Sequence, residues 1–167
     1  MSGRHTRRRT VAALCGLALT SAILVGCGVT IPSDPNGALA RIQGSTLHAG
    51  ASPSEGLVRE GRDGTPRGFL VDLIEAFAEE QDATVDWTID SEEMLVEMLE
   101  SGELDVVVGG MTDQTPWTER AGVTRGYPAI EGSAGRSMVM LVPLGENRLL
   151  ATLEEFLDHA LEPEAGS

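Results

Sequence analysis

The sequence contains few cysteines, few aromatic residues and few basic residues. Its 167 residues include two cysteines, two tryptophans, one tyrosine and three phenylalanines, and 12 basic against 26 acidic residues give a formal net charge of −14. An acidic chain is repelled by phosphates, so we expect no nucleic-acid partner. The sequence also shows no Ser-His-Asp or Cys-His set, no metal-ligand spacing and no glycine-rich phosphate loop with lysine. We therefore expect no enzymatic activity and no cofactor.

Both cysteines lie near the N-terminus, in a segment typical of bacterial export. Residues 4–9 are rich in arginine, and Val11 to Val25 is almost wholly apolar or small, which is the pattern of a signal peptide. The segment ends in "LVGC", which looks like a lipobox, where the sulfur of Cys27 would carry a lipid. We predict a lipoprotein signal peptide over residues 1–26 and a lipid-anchored protein on the extracytoplasmic face of the cell membrane. An ordinary signal peptide or an uncleaved anchor with an incidental cysteine is the alternative.

Three segments are expected beyond the signal peptide. Residues 27–44 are rich in glycine, proline, serine, asparagine and aspartate, which predicts a flexible tether. Residues 45–160 form the predicted domain, and residues 161–167 are predicted to be a disordered tail. Cys15 would leave with the signal peptide and Cys27 would be acylated, so we expect no disulfide.

Strand and helix patterns alternate from residue 46 onward. Strands are predicted at 46–51, 84–89, 104–108 and 137–142, with a loop at 52–67. Helices are predicted at about 69–81, at 92–101 between a cap that includes Ser91 and a left-handed stop at Gly102, and near the end of the domain with Glu146 in the first turn. This order predicts an α/β fold with an open, mainly parallel sheet flanked by helices. Such sheets bind ligands beyond the carboxyl ends of their strands. The stretch "GGMTDQTPW", which begins at Gly109, lies at such an end.

Several motifs in this order resemble one known family. "GFLVDLIEAFAEE", "VDWT", "LVEMLESGELDVVVGGMTDQTPWTERAGVTRGY" and "SMVMLVPLGENRLLATLEEFLDHA" resemble the first lobe of bacterial extracellular solute-binding proteins of family 3, the polar amino-acid-binding components of ABC importers. The similarity covers roughly residues 45–160. It implies a type II periplasmic-binding-protein-like lobe, an amino acid or small polar solute as ligand, and a membrane transporter component as partner.

The resemblance also implies which residues bind the ligand. In the family, hydroxyls and backbone amides at the end of the third strand hold a zwitterion, and these positions match Gly109, Gly110 and Thr112. An arginine in the following turn grips the carboxylate of the ligand. Matching without gaps places Trp117 at that position, where indole offers one donor and no charge. Trp117 would then be an aromatic platform for the ligand or a hydrophobic plug under the turn.

Two later arginines are candidates for the missing charge, and the second lobe is missing altogether. Arg120 lies one helical turn beyond Trp117, and Arg125 follows; either could replace the family's arginine, or both could be solvated surface residues. Tyr127, which ends the matched motif, is also expected among the ligand-binding residues. Only residues 128–136 separate Tyr127 from the returning strand, where the family has a whole second lobe. A single lobe cannot enclose a ligand, so weak binding is expected. The alternative is an interaction or regulatory module without a ligand, which uses Trp117 and Tyr127 on the uncovered face to bind a membrane protein or itself.

Overall fold

The computed structural model describes residues 34–162 of the chain. The predicted signal peptide, Cys27 with its predicted acylation, the first part of the predicted tether and residues 163–167 of the predicted tail lie outside the described residues. The helices are α1 Ala38–Ile42, α2 Phe69–Glu80, α3 Glu92–Ser101 and α4 Asn147–Ala160, with a short 3-10 helix at Pro116–Glu119; the strands are β1 Thr46–Ala51, β2 Arg59–Glu60, β3 Pro66–Arg67, β4 Thr84–Ile89, β5 Val106–Val108, β6 Ala121–Val123 and β7 Leu141–Pro143. None of the helices described is long and apolar enough to cross a membrane.

Five strands form one sheet in the order β4-β1-β5-β7-β6. β1 pairs in parallel with β4 and β5, whereas β7 is antiparallel to both of its neighbours, β5 and β6. Four of the five strands therefore run in one direction, which confirms the predicted α/β fold with a mainly parallel sheet. We call the side where β1, β4, β5 and β6 end the carboxyl edge, and the opposite side the amino edge.

Helices cover both faces of this sheet because each one carries an apolar stripe. On one face, Leu70, Ile74 and Phe77 of α2 recur at helical spacing and are buried with the apolar side of α4. The rings of Phe77 and Phe156 lie 5.6 Å apart. On the other face, α3 forms a smaller cluster that contains Leu95, Leu99 and Val107 of β5.

The predicted ends of the helices agree closely with the structure. Ser91 caps α3 by accepting the N–H of Met94 at 3.4 Å, and Gly102 ends α3 in the left-handed conformation, at φ 79°. Both were predicted from their residue types and positions. The helix predicted over 69–81 ends at Glu80, one residue earlier.

The predicted tether is wrong over its second half. Residues 38–42 form α1, and the apolar side of this helix, Ala38, Leu39 and Ile42, is buried in the larger cluster. Five residues are too short for a helical period to stand out in the sequence. The helix forms because Glu146, distant in sequence, accepts the N–H of Ala38 at 3.1 Å.

Three smaller predictions need correction. The predicted loop at 52–67 contains the antiparallel pair β2 and β3, and Leu161, assigned to the tail, packs partly against the core. Glu146 precedes α4 instead of lying in its first turn. Regular pairing of the returning strand is limited to β7, because Met138 makes only isolated bridges.

The loop at residues 128–136 is a packed element of the single lobe. Ile130 and Ser133 are 2% and 1% exposed, and Ser133 donates its hydroxyl to the carbonyl of Pro128 at 3.2 Å. Gly132 lies so close to Gly56 that a Cβ atom added to Gly132 would be 2.0 Å from the Gly56 carbonyl oxygen. Within the described residues, this loop therefore leads directly from Tyr127 to the returning strand, at the position where the family has its second lobe.

Candidate functional site

Backbone amides that lack a hydrogen-bond partner among the described residues lie at the carboxyl edge of β5. The ladder between β1 and β5 ends with the N–H of Ser52, which donates to the carbonyl of Val108 at 2.9 Å. Beyond it, the N–H groups of Gly109, Gly110 and Thr112 make no hydrogen bond to any residue within 34–162. Thr112 and Met138 form an isolated antiparallel bridge, but its hydrogen bonds are made by the flanking residues. The N–H of Val139 donates to the carbonyl of Met111, and the N–H of Asp113 donates to the carbonyl of Ser137. Several donors at one strand end are thus left for another acceptor.

Two side chains approach Gly110 from neighbouring strand ends. A Cβ atom built on Gly110 would lie 3.3 Å from Cβ of Ser54 and 3.6 Å from Oε1 of Glu92. Ser54 follows β1 and Glu92 opens α3 after β4, so three strand ends meet here. Glycine keeps this space open, because a side chain would fill the gap between the hydroxyl and the carboxylate.

We define the strand-end site by Ser52, Ser54, Glu92, Gly110 and Thr112. Its chemistry is mixed: free amides and hydroxyls can donate to a carboxylate, and Glu92 can accept from an ammonium or guanidinium group. The matches to the family had not indicated Ser54 or Glu92. Both residues follow shortly after strands that are neighbours in the sheet, Ser54 after β1 and Glu92 after β4. These positions after strand ends were the sequence signal that could have indicated them as site residues.

Trp117 and Arg120 lie away from the strand-end site. Trp117 is half-buried against the cluster under α3, and its Nε1 atom is buried without an acceptor among the described residues. Arg120 stacks on this indole at 5.5 Å and forms an ion pair with Glu100 in the last turn of α3. Because Arg120 directly precedes β6, it lies at the amino edge. Of the alternatives that the sequence left open, this placement contradicts Arg120 as the replacement for the family's carboxylate-binding arginine. It favours Trp117 as a hydrophobic plug over Trp117 as an aromatic platform for a ligand.

Tyr127 and Arg125 are engaged with α4. Tyr127 is 7% exposed, and its hydroxyl donates to the carbonyl of Glu154 at 3.2 Å and accepts from Nε of Arg125 at 3.0 Å. Arg125 also forms an ion pair with Asp158. Burial raises the pKa of Tyr127 to about 12, although Arg125 acts in the opposite direction. This placement corrects the prediction of Tyr127 as an exposed anchor or ligand contact and of Arg125 as a second replacement.

The remaining titratable groups suggest no metal site. Residues 34–162 contain no group of three or more histidine, cysteine, aspartate or glutamate side chains that could hold a metal ion. His48 lies on β1 and faces Asp86 of β4, with 3.6 Å between Nδ1 and Oδ2, on the exposed surface.

Comparisons with known proteins agree with this architecture. The model of the family described as "Bacterial extracellular solute-binding proteins, family 3" matches residues 49–162. None of the curated proteins compared with the chain matches it.

Solved structures share the fold. The arginine-bound form of domain 1 from TmArgBP is 22% identical, with a TM-score of 0.60, and the match covers 68% of this chain and 92% of that domain. A periplasmic binding protein of Salmonella typhimurium, described for its high arginine specificity, is 14% identical, with a TM-score of 0.57 and coverage of 72% and 95%. An ancestral arginine-binding protein bound to arginine is 13% identical, with a TM-score of 0.56 and coverage of 68% and 91%.

Proposed function

The chain belongs to the bacterial extracellular solute-binding proteins of family 3, and on this premise we propose that its strand-end site binds an amino acid or another small polar solute. The observation that supports this proposal is the juxtaposition of Gly110, whose backbone amide has no hydrogen-bond partner among the described residues, with the carboxylate of Glu92. A zwitterion needs donors for its carboxylate and an acceptor for its ammonium group, and both kinds lie at this edge.

The binding of such a ligand would be weak. In the proposed pose, the amides hold the carboxylate together with the hydroxyl of Ser54, which would exchange its donation to the carbonyl of Ser52 at 3.4 Å for one to the ligand. Glu92 takes the ammonium group. Neither Arg120 nor Arg125 reinforces the carboxylate contact, because both are paired elsewhere. A ligand on one lobe also keeps part of its surface in water, so each polar contact competes with hydration.

The proposed setting is the outer face of the cell membrane. A lipid on Cys27 would hold the domain there, and a membrane transporter component would receive the solute. The support is the lipobox-like "LVGC" and the extracellular character of the family. Labelling with a radioactive fatty acid should mark the chain and fail with Cys27→Ser; equal labelling of both would contradict the anchor.

The ligand proposal is tested by thermal unfolding with a panel of amino acids. Arginine is the first probe, since TmArgBP domain 1 is described as arginine-bound. A ligand that binds only the folded protein at 100 times its Kd stabilises it by about 2.7 kcal/mol, so millimolar concentrations should reveal even weak binding. We expect at least one amino acid to raise the Tm and to give a saturable heat by calorimetry.

A matched pair of variants locates the binding. Glu92→Gln removes the carboxylate next to Gly110, whereas Glu93→Gln removes the adjacent one, which is exposed in the same first turn of α3. Both lose a similar interaction with the helix dipole. The ligand-induced rise in Tm should shrink only with Glu92→Gln. Equal effects of the two variants would place the ligand elsewhere, and a flat response to the whole panel would favour the module without a ligand.

A further inference from the structure

Arginines are concentrated in the hairpin that β2 and β3 form. The chain has no lysine, so its 12 basic residues are all arginines, and three of them, Arg59, Arg62 and Arg67, lie in this hairpin. Its acids are Glu60 and Asp63, so the hairpin is positive although the chain as a whole carries a net charge of −14. A local excess of positive charge on an acidic protein can concentrate anions that the rest of the surface repels.

The register of the hairpin places two of these charges side by side. Arg59 pairs directly with Arg67, and Glu60 pairs with Pro66. Directly opposed residues point to the same side of an antiparallel pair, so the two arginines share one side and Glu60 lies on the other. Pro66 is buried whereas both arginines are exposed, so the arginine side faces solvent. Like charges directly opposite each other destabilise a strand pair, and a bound anion would relieve this repulsion.

The contacts of Asp63 neutralise one arginine of the hairpin. Its Oδ2 atom accepts a hydrogen bond from Nη2 of Arg67 at 2.8 Å. Its Oδ1 atom accepts the hydroxyl of Thr65 at 2.7 Å and the N–H of Thr65 at 3.3 Å. Within the described residues, neither Arg59 nor Arg62 forms an ion pair. Two guanidinium groups of the hairpin are thus available to an anion from solution.

A depression of about 420 Å³ lies among the three arginines. Its lining consists of Arg59, Glu60, Gly61, Arg62, Asp63 and Arg67. Gly61 keeps part of this space open, because a Cβ atom added there would lie 2.7 Å from Oδ1 of Asp63 and 2.8 Å from Nε of Arg67. The lining carries three guanidinium groups and two carboxylates, so it is positive and of a size that admits a small anionic compound.

We propose that this hairpin depression binds the phosphate group of a soluble compound between Arg59, Arg62 and Arg67. A planar carboxylate is satisfied by one bidentate arginine, whereas guanidinium groups on several sides suit an oxyanion with oxygens on several sides. The phosphate would fill the space next to Gly61 and separate the two arginines that face each other. This is a second site, because the lining of the depression shares no residue with the strand-end site.

The position of the hairpin favours a soluble compound over a lipid headgroup. The hairpin lies between the end of β1 and the start of α2, which places it at the carboxyl edge of the sheet. The start of the described chain is fixed at the amino edge, where Glu146 accepts the N–H of Ala38. If Cys27 carries a lipid, as we propose, the headgroups would lie on the side away from the hairpin.

Titration of the full-length chain with inorganic phosphate, in uncharged detergent micelles, tests the site. At constant ionic strength, the Nε–H signals of Arg59, Arg62 and Arg67 in NMR spectra should shift and then saturate at millimolar phosphate. Arg59→Gln should raise the apparent Kd about tenfold, because it removes a charge-assisted contact. Gly61→Ala should raise it as well, because the added methyl group displaces Arg67.

A matched control and a second anion source make the outcome decisive. Arg148→Gln removes an exposed arginine of α4 that forms no ion pair among the described residues, and it should leave the Kd unchanged. Shifts that sodium chloride reproduces, or that never saturate, would overturn the proposal, and so would equal effects of Arg59→Gln and Arg148→Gln. Arginine signals that respond to micelles containing phosphatidylglycerol but not to inorganic phosphate would overturn it in favour of a lipid headgroup. The titration of the unaltered chain needs no variant, so it decides the matter even if a variant does not fold.

Discussion

Replacing Gly132 by alanine should destabilise the domain far more than replacing its near neighbour Gly135. Both glycines have positive φ, 82° and 75°, and lie in the loop at residues 128–136. An added Cβ at Gly132 would lie 2.0 Å from the carbonyl oxygen of Gly56, whereas one at Gly135 would meet nothing within 4 Å. Gly135→Ala thus isolates the backbone cost, and Gly132→Ala adds the displacement of the loop from its support.

The magnitudes follow from these two contributions. Placing alanine in a left-handed conformation costs about 1–2 kcal/mol, which is the whole effect expected for Gly135→Ala. Moving the loop at Gly132 also exposes part of the buried Ile130, which adds up to about 2 kcal/mol. Gly132→Ala should therefore lower the free energy of unfolding by about 3 kcal/mol.

Urea unfolding followed by tryptophan fluorescence and circular dichroism measures both values. The midpoint for Gly132→Ala should be clearly below that for Gly135→Ala, at equal m-values. Equal midpoints would refute the reasoning, because they would mean that the contact between Gly132 and Gly56 does not hold the loop in solution.

Three further predictions concern the core, the tyrosine and an arginine. Phe77→Ala should lower the free energy of unfolding by about 3–5 kcal/mol in urea, because the ring is fully buried against Phe156. Tyr127 is the single tyrosine, so absorbance at 295 nm should show its ionisation near pH 12. Its contribution to the stability of the fold should be complete below pH 10 and lost as the pH rises through about 12. An ionisation midpoint near pH 10 would contradict the burial of the hydroxyl. Arg120→Ala should leave any ligand-induced rise in Tm unchanged in thermal unfolding, because this side chain faces Glu100.

The sequence predicted those parts of the fold that local patterns determine. β1 and β4 have the predicted bounds, and the cap at Ser91 and the stop at Gly102 follow from residue types that act within one helical turn. The position of the strand-end site could also be predicted, because a buried strand that ends in Gly109 and Gly110 places free amides at a sheet edge.

Contacts between distant segments were beyond the reach of these patterns. α1 depends on Glu146, more than 100 residues away, and no local feature of Ala38–Ile42 reveals that cap. The partners of the arginines were missed for the same reason. Matching by sequence placed Arg120 near the predicted carboxylate contact, but the chain crosses to the amino edge between Thr112 and β6, and this carries the side chain to Glu100.

The strand-end site and the start of the described chain lie at opposite edges of the same sheet. β1, β4 and β5 end beside Gly110, whereas β7 runs the other way and delivers Glu146 to the amino edge, where α1 is fixed. Residue 34 therefore reaches the domain on the side away from the proposed ligand. If Cys27 carries a lipid, as we propose, the attachment to the membrane would approach the domain from that side and leave the strand-end site accessible.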